Sequence, residues 1–129
     1  MEVNTTISTR KQTQLEHEIN TWERSVLFFR QENAQLKTRL SVVTDNNNEK
    51  EFVELAEYFQ SQFLLIDEII YKLRIEIKKQ SDDIRINPQG KKLKELLSNQ
   101  ELIRKKMICL ENDFSRLKNE FNQLIMQFI

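Results

Sequence analysis

An all-α fold, a long antiparallel three-helix bundle of coiled-coil-like type, is what this sequence predicts, on three observations. Apolar residues recur at alternating steps of three and four through three long stretches, the spacing that lays one apolar stripe along a helix. Two short polar breaks separate the stretches. Gly and Pro, the residues that most readily end helices, occur once each in 129 residues, so the elements are few and long. A chain of this length forms one domain, and residues 1–129 read as a single helical unit with helices over about 10–44, 49–81 and 90–128.

The first stripe runs through Leu15, Ile19, Trp22, Val26, Phe29, Asn33, Leu36, Leu40 and Val43. Lettering Leu15 as heptad position d places Ile19, Val26, Asn33 and Leu40 at a. The pattern stops at residues 44–48, Thr-Asp-Asn-Asn-Asn, whose side chains compete for backbone hydrogen bonds and favour turns. Asn48, with Glu51 three residues on, predicts the start of the second helix. Its stripe is Phe52, Ala56, Phe59, Phe63, Ile66, Ile70, Leu73 and Ile77, fading after Lys79 into Ser81, Asp82 and Asp83. Asn87, Pro88, Gln89 and Gly90 make the second break, because the residue before a proline is pushed out of the helical region. A third stripe follows from Leu93 through Leu96, Gln100, Ile103, Met107, Leu110, Phe114, Leu117, Phe121 and Leu124 to Phe128.

Both joints are short enough to reverse the chain, giving an up-down-up rod; a hairpin whose third helix pairs with a second copy is the alternative. Short loops favour the local partner. In this layout, and in carrying Trp22 in the first helix, the chain resembles the three-helix unit of spectrin-type repeats. The resemblance implies a fold and carries no function with it. Asn33 and Gln100 stand at a, where apolar residues are expected; a polar a residue either fixes register and partner choice or marks a poorly packed layer.

Several kinds of chemistry lack their residues. The one histidine, His17, falls at f on the outer face, which leaves no inward imidazole for acid–base or triad catalysis. No a or d position is Asp or Glu, so a carboxylate-bridged metal site in the core is not expected. One glycine cannot build a phosphate-cradling loop. Cys109, the lone cysteine, falls at c without an adjacent histidine and reads as an ordinary helix residue. It offers no internal disulfide, so a reducing, cytoplasmic setting is expected, with no signal peptide and no membrane span. The expectation is a non-enzymatic protein without cofactor, metal or small-molecule substrate.

Two sets of residues remain as candidate sites. Leu27 and Phe28, Leu64 and Leu65, and Ile108 fall at b or c, positions that normally face water. Counting from the joints places all five at one level, half-way along the rod. They are read as a protein interface that makes the chain at least a homodimer. The second set follows from charge. The chain carries 20 basic and 20 acidic residues, yet residues 45–68 hold seven acidic against one basic, and residues 69–106 hold eleven basic against five acidic. Lys72, Arg74, Lys78, Lys79, Arg85, Lys91, Lys92 and Lys94 surround the second joint, with Arg10 and Lys11 near the same end. They form a candidate anion-binding set, nucleic acid being one such partner, against the plainer reading of a solvated face. Acidic residues are interleaved and no aromatic rings accompany the bases as stacking platforms, which favours the plainer reading. A structural or adaptor protein working through self-association and helix-mediated protein binding is therefore the leading expectation, and a nucleic-acid or anion-binding module the alternative.

Overall fold

The computed structural model describes residues 9–85 and 93–128. They form three helices, α1 (Thr9–Asp45), α2 (Lys50–Arg85) and α3 (Leu93–Phe128), packed against one another within the one chain. At about 1.5 Å per residue the 36 residues of α2 or α3 reach ~54 Å. The stripes face inward as their spacing requires. Every aliphatic or aromatic a and d residue of α2 from Phe52 to Ile77 is buried, as are Leu15, Ile19, Trp22, Val26, Leu36 and Leu40 of α1. Phe29, Val43 and Phe128 are half-buried against this core.

Side-chain pairs fix how the helices run. Glu18 meets Arg104 and Glu32 meets Lys118, each pair 86 residues apart, so α1 and α3 run parallel in constant register. Phe59 packs on Phe121 and Phe52 on Phe128, and Gln80 bonds to Gln100, so α2 runs antiparallel to α3. The joint between α1 and α2 uses its asparagines as expected. Asn46 and Asn47 donate backbone N–H groups to the Val43 and Thr44 carbonyls, and the Asn46 side chain donates to Val42 O. The second helix begins one residue later than expected from Asn48: Glu49, just before Lys50, accepts the first helical bond from the Val53 N–H, and its own N–H donates to Asn47 Oδ1 in an Asx turn.

The second helix outruns its predicted end. Residues 82–85 are helical, because Ile84 continues the stripe and is fully buried, while Gln80 and Ser81 are buried beside it. Asp82 interrupts only the partly exposed side, where it pairs with Lys78 one turn back. Residues 86–92, with Pro88, Gly90 and the predicted first residues of the third helix, lie outside the described residues.

Neither polar a residue marks a frayed layer. Gln100 is buried and its Nε2 donates to Leu15 O and to Glu18, while its Oε1 accepts from Gln80, whose amide also donates to Leu96 O. This layer ties all three helices to one another. Asn33, equally buried, donates to Phe63 O and to Asp67, which also takes Lys37. Its Oδ1 has no partner among the described residues, so the layer is less complete. Each contact is specific to one axial alignment, since sliding a helix by one turn would strand a buried amide.

Candidate protein-interaction surface

The polar bridges between helices divide the rod into unlike sides. Glu18, Glu32 and Arg39 of α1 all stand at g and all reach α3, at Arg104, Lys118 and Asn122. Glu76 of α2, also at g, reaches Lys106 of α3. The opposite flanks of α1 and α2, their e and b positions, therefore look away from α3 and meet only each other. Two grooves open there, both lined by α1 and α2 alone.

The larger groove, about 1130 Å³, lies toward the basic end. Leu27, Tyr71 and Ile75 give it apolar surface, and Arg24, Arg74, Lys78, Lys79 and Arg85 outnumber Glu23 and Asp82 on its walls. The smaller, about 380 Å³, lies toward the turn between α1 and α2 and includes Leu64, Glu57, Asp45 and Lys37. The Lys37–Asp67 ion pair lies between the two. Leu27, Leu64 and Tyr71 at b give these grooves apolar surface that a solvated flank ordinarily lacks.

All five predicted interface residues are half-exposed, between 49% and 54%. They do not share one side. Leu27 and Leu64 open onto the flank away from α3. Phe28 makes a tilted ring contact with Phe29, whose ring contacts Phe114 of α3, so it lies on the flank toward α3. Leu65, at c next to the g row of α2, faces that side too. Ile108 stands one turn beyond Arg104 on the flank toward α1. Nor is there one level. The constant register of α1 and α3 sets Ile108 beside Trp22, more than one turn from Phe28. The Asn33–Phe63 contact sets Leu64 about one turn from Leu27 along the axis, because the first joint is centred later than the polar run at 44–48 predicts. The residues form a staggered belt around the rod. Tyr71 and Ile75, exposed on the Leu27 flank, belong with it and were legible as b and f residues of the second heptad run.

The basic residues are partly committed within the chain. Lys72 pairs with Glu68, Lys78 with Asp82, and Arg85 with Glu16 and Asn20. Arg74 and Lys79 sit in the larger groove, and Lys94 is exposed on the first turn of α3. Lys91 and Lys92 lie outside the described residues. Gln12 donates to Ile84 O, which brings the start of α1 to this end, as expected for Arg10 and Lys11. His17 and Cys109 are exposed. Among the described residues no cluster of His, Cys, Asp or Glu could hold a metal ion, and no helix is long and apolar enough to cross a membrane.

One carboxylate is shifted by its setting. Arg104 hydrogen-bonds Glu18 and holds its pKa below the ordinary 4.5, against the opposing effect of burial, with the Gln100 hydrogen bond and the charges of Arg104 and Lys11 assisting. A folded-state pKa below the unfolded one contributes stability above the unfolded value, and the contribution is lost as pH falls through the folded value. The pair is partly solvated, so the contribution is about 1 kcal/mol or less. Glu18→Gln is accordingly expected to lower stability slightly at pH 7 and to make a smaller difference at pH 3, as read by urea denaturation. An equal loss at both pH values would rule out the ionised pair as the cause.

Comparison with family models, with curated proteins and with solved structures finds no match to this chain.

Proposed function

We propose that the protein is a non-enzymatic cytoplasmic scaffold or adaptor that acts by self-association and by packing its helices against those of other proteins. The supporting observation is the belt of half-exposed Leu27, Phe28, Leu64, Leu65 and Ile108 around a rod whose a and d seams are already filled. Large apolar side chains standing outside a filled core favour burial against a partner surface, since each leaves water only on association. The polar Gln80–Gln100 layer supports the same reading, because a scaffold presents a surface of fixed shape and the layer permits one register.

Sedimentation velocity over a concentration series tests this reading. The wild type is expected to move from monomer to dimer as concentration rises, and Leu27→Glu with Leu64→Glu to shift the series toward monomer with helix content unchanged. A wild type that stays monomeric at every concentration would overturn self-association.

A further inference from the structure

The flank of α1 and α2 that looks away from α3 carries a pattern that a generic sticky surface would lack. Along α2 its apolar centre is Leu64 and Tyr71, both at b and both exposed. One heptad before Leu64 stands Glu57, and one heptad after Tyr71 stands Lys78, again at b. The four residues are symmetric in position about a point beside Asp67 and opposite in charge across it. Leu27 of α1 lies in the same groove as Tyr71 and adds to the apolar centre. Beyond that centre the groove walls are mainly basic on one side, and Glu54 and Glu57 stand on the other.

The geometry points to a second copy of this chain as the occupant of this flank, laid antiparallel about a two-fold axis near Asp67. This assignment rests on the self-association proposed above and specifies its surface. With the axis there, Leu64 of each copy meets Tyr71 of the other, and Glu57 of each meets Lys78 of the other, whose exposed pair with Asp82 one turn on is weak enough to be shared or exchanged. A two-fold contact uses the same patch on both copies, so each pairing is made twice. A parallel arrangement would set Lys78 against Lys78 and Glu57 against Glu57, and like charges across an interface are unfavourable. Asp67, nearest the axis, is already paired with Lys37 of its own chain and brings no bare charge to it. Under the same two-fold Arg74 comes opposite Ser61 and Glu54 opposite Ser81, so they add to the sign of their own ends without forming a pair. Phe28, Leu65 and Ile108 face other directions and stay outside this contact.

Charge reversal with rescue tests the assignment, read by sedimentation velocity. One variant carries Arg74→Glu and Lys78→Glu, the other Glu54→Lys and Glu57→Lys. All of these side chains are exposed, and circular dichroism verifies that helix content is kept. Each variant alone is expected to self-associate roughly tenfold more weakly than wild type or worse, since every pairing becomes like-charged. Mixing the two is expected to restore the dimer, because in the mixed pair every contact is again opposite in sign. Phe28→Glu with Leu65→Glu, on the other flank, is expected to leave the dimer intact. A wild-type dimer insensitive to both reversals, or one not restored by mixing, would overturn this surface while self-association itself stands. A monomeric wild type would remove self-association and this inference with it. A monomeric wild type that nevertheless binds a synthetic acidic amphipathic helix in the groove would assign the flank to a different protein.

Discussion

Phe121→Ala is expected to destabilise the bundle by about 3–5 kcal/mol, the largest effect of any single truncation. Phe121 is fully buried where three rings converge, its centroid 5.2 Å from that of Phe63 and 5.5 Å from that of Phe59, both in edge-on contact. The guanidinium carbon of Arg39 lies over the ring, 5.7 Å from its centroid. Truncation removes the apolar surface, the ring contacts and the cation–π contact together, and a bundle only three side chains across has few neighbours able to close the space. Guanidinium denaturation is the measurement, with an earlier midpoint and an unchanged slope expected. A loss below ~1 kcal/mol would show that the ring layer is not packed in this way.

Gln100→Ala is expected to cost about 2–4 kcal/mol, combining the lost volume and the lost bonds to Leu15 O and Glu18 with one buried amide hydrogen of Gln80 left without an acceptor. Gln80→Ala is expected to cost a similar amount by stranding the Gln100 carbonyl. Because each substitution removes the partner of the other, the double variant is expected to lose less than the two single losses combined, with a coupling of about 0.5–3 kcal/mol. Strict additivity would mean that the amides do not bond across the seam. Replacing both by leucine removes the unsatisfied groups as well as the bonds. That variant is expected to be as stable as wild type or more so, and to give up the single register that the amides enforce.

The fold was legible because the heptad stripe is a strong local signal, unbroken by Gly or Pro, and each stripe residue from Phe52 to Ile77 is buried as its spacing demands. The end of α2 was less legible. Ser81, Asp82 and Asp83 look like a terminus by composition, and the burial of Ile84 that keeps the helix going comes from the neighbouring helices. Polar residues in the core were legible as positions and not as roles: Asn33 and Gln100 fell at a, but their partners Phe63 O, Leu15 O and Gln80 lie 20 to 85 residues away. The exposure of Leu27, Phe28, Leu64, Leu65 and Ile108 was legible from their b and c positions. Tyr71 and Ile75 beside them, at b and f, lay outside that set, and the sides that all of these face were not legible. Those depend on which flank of each helix α3 occupies, and that is set by Glu18–Arg104, Glu32–Lys118 and Glu76–Lys106 across the assembled bundle.

An odd number of helices has an electrical consequence. With α1 and α3 parallel and α2 opposed, the backbone dipole of α2 cancels that of one neighbour, and one full helix dipole is left over. It amounts to about half an elementary charge at each end of a ~54 Å rod, positive where α1 and α3 begin and negative where they finish. The side chains reinforce it, since residues 45–68 are acidic at the negative end and residues 69–106 basic at the positive one. A chain of zero formal charge is thus a polar rod, and at low ionic strength its field favours the antiparallel over the parallel placement of any like rod beside it.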